Sequence, residues 1–129
     1  MSPRRVVSRS LRVLLVEDSL ALREAFRGFF RGLPAVRELQ EVEKAAEALE
    51  LLAAAPPDIL ILDLTLRDGN CLEVLARVRA LGLSCRVLVF TSHDADSVRE
   101  RCLAAGADRF FSKSRQHREL LQELREICG

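Results

Sequence analysis

Four short apolar runs in this 129-residue chain end on residues able to do chemistry. Arg12–Val16 runs into Glu17 and Asp18, and Asp58–Leu64 carries Asp63 near its end. Arg86–Phe90 is followed by Thr91 and Ser92, and Arg109–Ser112 by Lys113. Three carboxylates gathered in one place raise one another's pKa unless a cation compensates. A hard divalent ion meets that need. Mg2+ suits a site of a few carboxylates that leaves positions for water and phosphate oxygens. A carboxylate is also a nucleophile toward a phosphoryl donor, giving an aspartyl phosphate. The metal and Lys113 would then offset charge on the equatorial phosphoryl oxygens, with the Thr91 hydroxyl donating to one of them.

Whether these residues meet depends on the elements that carry them. Arg12–Val16 reads as a buried strand. Ser19 can cap a helix through Arg31, in which Leu22, Ala25, Phe26, Phe29 and Phe30 recur at helical spacing until Gly32 and Pro34 stop it. Val36–Val42, with Glu38, Gln40 and Glu41 interleaved among its apolar residues, suits an edge strand. Lys44–Ala55 reads as helix, closed by Pro56-Pro57. Asp58–Leu64 is apolar on both faces, as a central parallel strand should be. After a loop with Asp68-Gly69 come a helix from about Cys71 to Leu81 and the strand Arg86–Phe90. A helix at about Ala95–Ala105 and the strand Arg109–Ser112 follow. The last, amphipathic helix carries Leu120, Leu121, Leu124 and Ile127, with His117 on its polar face.

Five strands alternating with five helices predict an α/β, doubly wound parallel sheet. In such sheets the ligand site lies beyond the carboxyl ends of the strands, where strand order reverses. Glu17, Asp18, Asp63, Thr91 and Lys113 all stand at that edge.

Composition narrows the function further. The apolar residues make up 49% and the charged ones 30%, too apolar for a disordered chain and too interrupted by charge for a membrane span. Twenty Lys and Arg against 19 Asp and Glu give a net charge of +1, which argues against direct nucleic-acid binding. There is no glycine-rich phosphate loop and no nucleophile elbow. Cys71, Cys85, Cys102 and Cys128 contain no C-x-x-C, so they read as reduced thiols of a cytoplasmic protein. Residues 1–10 hold Arg4, Arg5 and Arg9 without a following apolar region. They read as a basic, flexible tail before one domain spanning 11–129.

The motifs, taken in order, resemble a known family. Leu-Leu-Val-Glu17-Asp18-Ser, Ile-Leu-Ile-Leu-Asp63-Leu, Val-Phe-Thr91-Ser92 and Gly106-Ala-Asp-Arg-Phe110-Phe-Ser-Lys113-Ser resemble the receiver domain of two-component response regulators. The resemblance covers residues 11–128 and implies a flavodoxin-like three-layer sandwich with strand order 2-1-3-4-5. It implies that Asp63 is the phosphoacceptor, taking its group from a sensor histidine kinase, a phosphotransfer protein or a small donor. Asp18 and Asp63 would bind Mg2+ directly, Glu17 through water, and Thr65 through its backbone carbonyl. Lys113 would pair with the phosphoryl group, while Thr91 and Phe110 would form the switch. The face of the fourth helix, fifth strand and fifth helix would be read by a partner protein or serve onward relay. A homodimer through the last helix stays open. The activity so implied is no conventional enzyme's; the domain catalyses its own phosphorylation and dephosphorylation.

Three departures from the family pattern stand out: Arg67 where a proline is common, Cys71 where a glycine often opens the third helix, and Ser114 after Lys113. Two other readings compete. A pseudo-receiver that binds partners without phosphate need not keep Asp63, Thr91 and Lys113 together. A haloacid-dehalogenase-type hydrolase wants an acidic residue two positions after its nucleophile, where Thr65 stands.

Overall fold

The central strands of this chain must bury two apolar faces, and a helix layer on each side of the sheet is what allows it. The computed structural model describes residues 10–66, 68 and 71–129. The basic tail, except Ser10, therefore lies outside the described residues, as do Arg67 and Gly69. The elements are β1 (Leu11–Val16), α1 (Leu20–Arg31), β2 (Val36–Val42), α2 (Ala45–Ala54), β3 (Ile59–Leu62), α3 (Cys71–Ala80), β4 (Arg86–Thr91), α4 (Asp96–Ala104), β5 (Arg109–Ser112) and α5 (His117–Cys128). All strand pairs are parallel, in the order β2-β1-β3-β4-β5. The expected doubly wound, five-stranded architecture is the one observed.

Alternate strand residues feed two cores, as a side-chain period of two requires. Val13, Leu15, Ile59, Ile61, Leu88, Phe90 and Phe111 point to α1 and α5, where Phe26, Phe30, Leu120 and Leu124 meet them. Leu14, Val16, Leu60, Leu62, Val87, Val89 and Phe110 face α2, α3 and α4, against Leu52, Val74, Leu75 and Cys102. Phe110 and Phe111 are thus both core aromatics, on opposite faces.

β3 is shorter than its apolar run suggests. It ends at Leu62, because the Asp63 carboxylate accepts the Thr65 N–H at 3.0 Å and turns the chain out of the sheet. Helix ends follow local chemistry. Ser19 caps α1, its Oγ accepting the Leu22 N–H at 3.2 Å. Lys44 makes no side-chain cap on α2. Instead the Asp68 carboxylate, from the β3–α3 loop, accepts the N–H groups of Ala45 and Ala46 at 3.1 and 3.0 Å. At Gly82 (φ 63) and Gly106 (φ 114) the chain takes the left-handed turn that closes α3 and α4, a conformation that strains other residues.

Polar edges are tied down by ion pairs. On the sparsely apolar β2, Glu41 takes a two-pronged hydrogen bond from Arg27 at 2.6 and 2.8 Å. Glu123 of α5 is buried. It accepts from Arg86 of β4 at 2.9 Å and from Arg109 of β5 at 2.7 Å, joining the helix to the starts of both strands.

Leu60 is fully buried in the central strand. Leu60→Ala is expected to lower stability by about 3 kcal/mol, read as a lower urea midpoint with an unchanged slope.

Candidate functional site

Strand register assembles the site. Val16 pairs with Leu62 and Thr91 with Ser112. The next amides continue the ladder: Asp63 N–H donates to the Val16 carbonyl at 3.1 Å, and Lys113 N–H to the Thr91 carbonyl at 2.9 Å. The residues following β1, β3 and β5 are thereby held level at one edge of the sheet, with β4 between the last two.

Glu17, Asp18 and Asp63 each offer a carboxylate oxygen within 4.8 Å of the others. Glu17 and Asp63 are both 2% exposed, while Asp18 is half-buried. Lys113 stands between the two buried carboxylates. Its Nζ lies 2.9 Å from Glu17 Oε1 and 2.9 Å from Asp63 Oδ2, and 5.8 Å from the centroid of the Phe90 ring. The Thr65 hydroxyl also reaches Asp63, at 2.9 and 3.0 Å from its two oxygens. Thr91 is fully buried at the end of β4, its Oγ1 accepting the His93 N–H at 3.1 Å. Ser92 and His93 are exposed. Sequence reading therefore named a set of residues that the fold does gather at one edge. Phe110 lies apart from them, buried at the base of a cleft of about 420 Å³ lined also by Asp94, Arg99, Ser112 and Glu119.

Several supporting contacts were not foreseen. Arg23 donates to the Glu17 carbonyl at 3.0 Å, and its guanidinium also lies 3.4 Å from Glu41 and 3.0 Å from Glu43. Its place one turn beyond Ser19 was a usable signal, since that position lies over the start of α1. The Ser19 N–H donates to Glu17 Oε2 at 3.1 Å. The Cys71 thiol donates to the Asp63 carbonyl at 3.2 Å. Burial pushes that thiol up to about 11, which keeps it protonated. His117 is exposed, as a polar helix face requires, and its ring lies 5.9 Å from that of Phe90.

The donor set suits a hard divalent ion. All three carboxylates offer oxygen, and one ammonium leaves two of their negative charges uncancelled.

Fold and site together define a flavodoxin-like α/β protein with an acidic pocket at its sheet edge. Residues 13–125 match the family model described as response regulator receiver domain, and the chain belongs to that family. It is a receiver domain of two-component systems. The response regulator MprA of Mycobacterium ulcerans is 36% identical over 120 residues, covering 92% of this chain and 50% of that protein. MprA of Mycobacterium tuberculosis H37Rv is 34% identical over the same coverage. The chain spans about half the length of these curated relatives. Among solved structures, a two-component response regulator of the LuxR family from Aurantimonas sp. SI85-9A1 aligns with a TM-score of 0.80 and 30% identity, over 92% of this chain and 85% of that one. The response regulator domain of Thermotoga maritima CheB shares the fold, with a TM-score of 0.79 and 24% identity over 93% and 94% of the two chains. Receiver domains bind Mg2+ at an acidic pocket and interact with histidine kinases or phosphotransfer partners. Among the described residues, no helix is long and apolar enough to cross a membrane.

The charges set opposite signs on stability. Burial raises the Glu17 carboxyl above its ordinary 4.5, with Lys113 opposing and Asp63 reinforcing the shift. A raised acid stabilises the fold below its ordinary pKa and loses that contribution as pH rises through the raised value, so ionised Glu17 burdens the fold at neutral pH. Asp63 is the reverse. Burial pushes it up, but Lys113 and the Thr65 amide and hydroxyl outweigh burial and hold it below 3.8. Its contribution is present above 3.8 and is lost as pH falls through the lowered value. Without divalent ions at pH 7, Glu17→Gln is expected to stabilise by about 1 kcal/mol, a gain that fades in acid as the native carboxyl protonates. Lys113→Met is expected to destabilise by roughly 2–4 kcal/mol, because it leaves two buried carboxylates facing each other. Urea titrations across pH read both.

Proposed function

We propose that this domain is a phosphorylation-driven switch in which Asp63 accepts a phosphoryl group. The observation that carries the proposal is the placement of one ammonium 2.9 Å from Asp63 inside a three-carboxylate cluster. An Asp63 Oδ attacks the phosphorus of a phosphohistidine on a sensor kinase or phosphotransfer protein. The P–O bond forms, the P–N bond breaks, and the imidazole leaves with a proton from solvent. Lys113 gives up its contact with the attacked carboxylate and pairs with a phosphoryl oxygen. Thr91, whose acceptor lone pair is engaged by His93, has its hydroxyl proton to donate to another. Glu17, Asp18, Asp63 and the Thr65 carbonyl would hold Mg2+, which when bound supplies positive charge against the phosphoryl oxygens.

The readout in this proposal is the face of α4, β5 and α5. Thr91 moves toward the phosphoryl group, and Phe110 follows into the space it leaves. The cleft that Phe110 floors, rimmed by Asp94, Arg99 and Glu119, changes shape with it. One added dianionic group biases a two-state element. A partner protein reads the new face, or the phosphoryl group is relayed onward. The proposal places the domain in the cytoplasm, in keeping with the reduced thiols of Cys71, Cys85 and Cys102.

Treatment with acetyl phosphate and Mg2+ followed by intact-mass measurement tests the reading. One alkali-labile phosphoryl group is expected on the wild-type chain, and none on Asp63→Asn or after Mg2+ removal. A wild-type mass left unmodified by several small donors and by phosphohistidine would overturn the proposal.

A further inference from the structure

We propose that Cys71 is a positioning residue for the phosphoacceptor: by donating its thiol proton to the main-chain carbonyl of Asp63, it fixes the turn from which the Asp63 carboxylate projects. The inference rests on reading Asp63 as the phosphoacceptor.

Asp63 is the first residue beyond β3, where sheet pairing gives way to loop. Its N–H is held by the Val16 carbonyl, and its carboxylate by Lys113 and Thr65. Those contacts fix one side of the residue and its tip. The peptide plane leaving Asp63 is a separate freedom, and its carbonyl receives the Cys71 Sγ at 3.2 Å. That is a close approach for sulfur, at a site where the cysteine is only 3% exposed and water offers little competition. Cys71 opens α3, and Val74 and Leu75 of the same helix pack into the core. The thiol therefore ties the phosphoacceptor's backbone to a rigid helix across the loop. Asp68 ties the same loop outward to α2. A small rotation of the Asp63 peptide plane displaces Thr65, whose N–H and hydroxyl hold the Asp63 carboxylate, and so shifts that carboxylate against Lys113. Rate depends steeply on such alignment.

A plain packing role for Cys71 makes a different forecast, because the two roles rank the variants in opposite orders. Cys71→Ala keeps an apolar side chain but removes the donor. Cys71→Ser keeps a donor but buries a hydroxyl among apolar groups, so it should be the less stable of the two. Three measurements on the full chain separate the roles: the urea midpoint, the 13C shift of the Asp63 carbonyl without phosphodonor, and the rate of phosphorylation by acetyl phosphate with Mg2+. Positioning predicts that Cys71→Ala moves the carbonyl resonance and slows phosphorylation about two- to fivefold. It predicts that Cys71→Ser reacts within about twofold of wild type despite its lower midpoint. A Cys71→Ala variant with wild-type rate and an unmoved carbonyl shift overturns the inference, as does a rate that follows stability with serine slower than alanine. If the wild-type chain takes no phosphoryl group at all, the phosphoacceptor reading fails first and this inference falls with it.

Discussion

One ammonium between two buried carboxylates sets the terms for the rest of this molecule. Lys113 follows β5, Asp63 follows β3 and Glu17 follows β1, so the contact spans four adjacent strands from one side. A lysine stem reaches across the intervening β4 only if all four strands end level. The registers that pair Val16 with Leu62 and Thr91 with Ser112 deliver that alignment. β4 contributes a flat group beneath the ammonium, the Phe90 ring, whose centroid lies 5.8 Å from Lys113 Nζ.

The same contact explains why the apolar layers are so complete. A cluster of like charges at a sheet edge works against folding, and one lysine answers only part of it. Fully buried leucines and isoleucines in β1 and β3, directly below the carboxylates, supply the opposing stabilisation. Glu123 shows the structural use of a buried carboxylate, since two arginines answer it from neighbouring strands. Glu17 and Asp63 share a single cation instead. That deficit is what suits the sheet edge to a hard divalent ion.

Much of this was legible in the sequence, and the reason is geometric. A parallel sheet places every strand's carboxyl end at one edge, so finding apolar runs and the polar residues that close them locates the site without further knowledge of the fold. Asp63, Glu17, Asp18, Thr91 and Lys113 were readable on that basis. Contacts between segments distant in sequence were not. The pairing of Asp68 with the start of α2 crosses more than 20 positions, and that of Glu123 with Arg86 crosses 37. Residue type says little about either, because aspartate in a loop and glutamate on a helix are ordinary surface residues. Cys71 was visible as a departure from a common glycine, but its bond to the Asp63 carbonyl depends on a rotamer. The end of β3 was placed two residues late because Leu64 extends the apolar run, whereas the Asp63 side chain turns the backbone first.

Lys113, the cation that pairs with the cluster among the described residues, follows β5, the last strand to be made and an edge of the sheet. Asp63 and Lys113 are 50 positions apart. A growing polypeptide on the ribosome therefore carries its carboxylates before the lysine that pairs with them, and packing of β1 against β3 alone would bring those carboxylates together without it. Arrival of β5 offsets part of their repulsion as it completes the sheet, so the pull on the strand is electrostatic as well as apolar. The lysine contact and the last strand of the sheet thus arrive together.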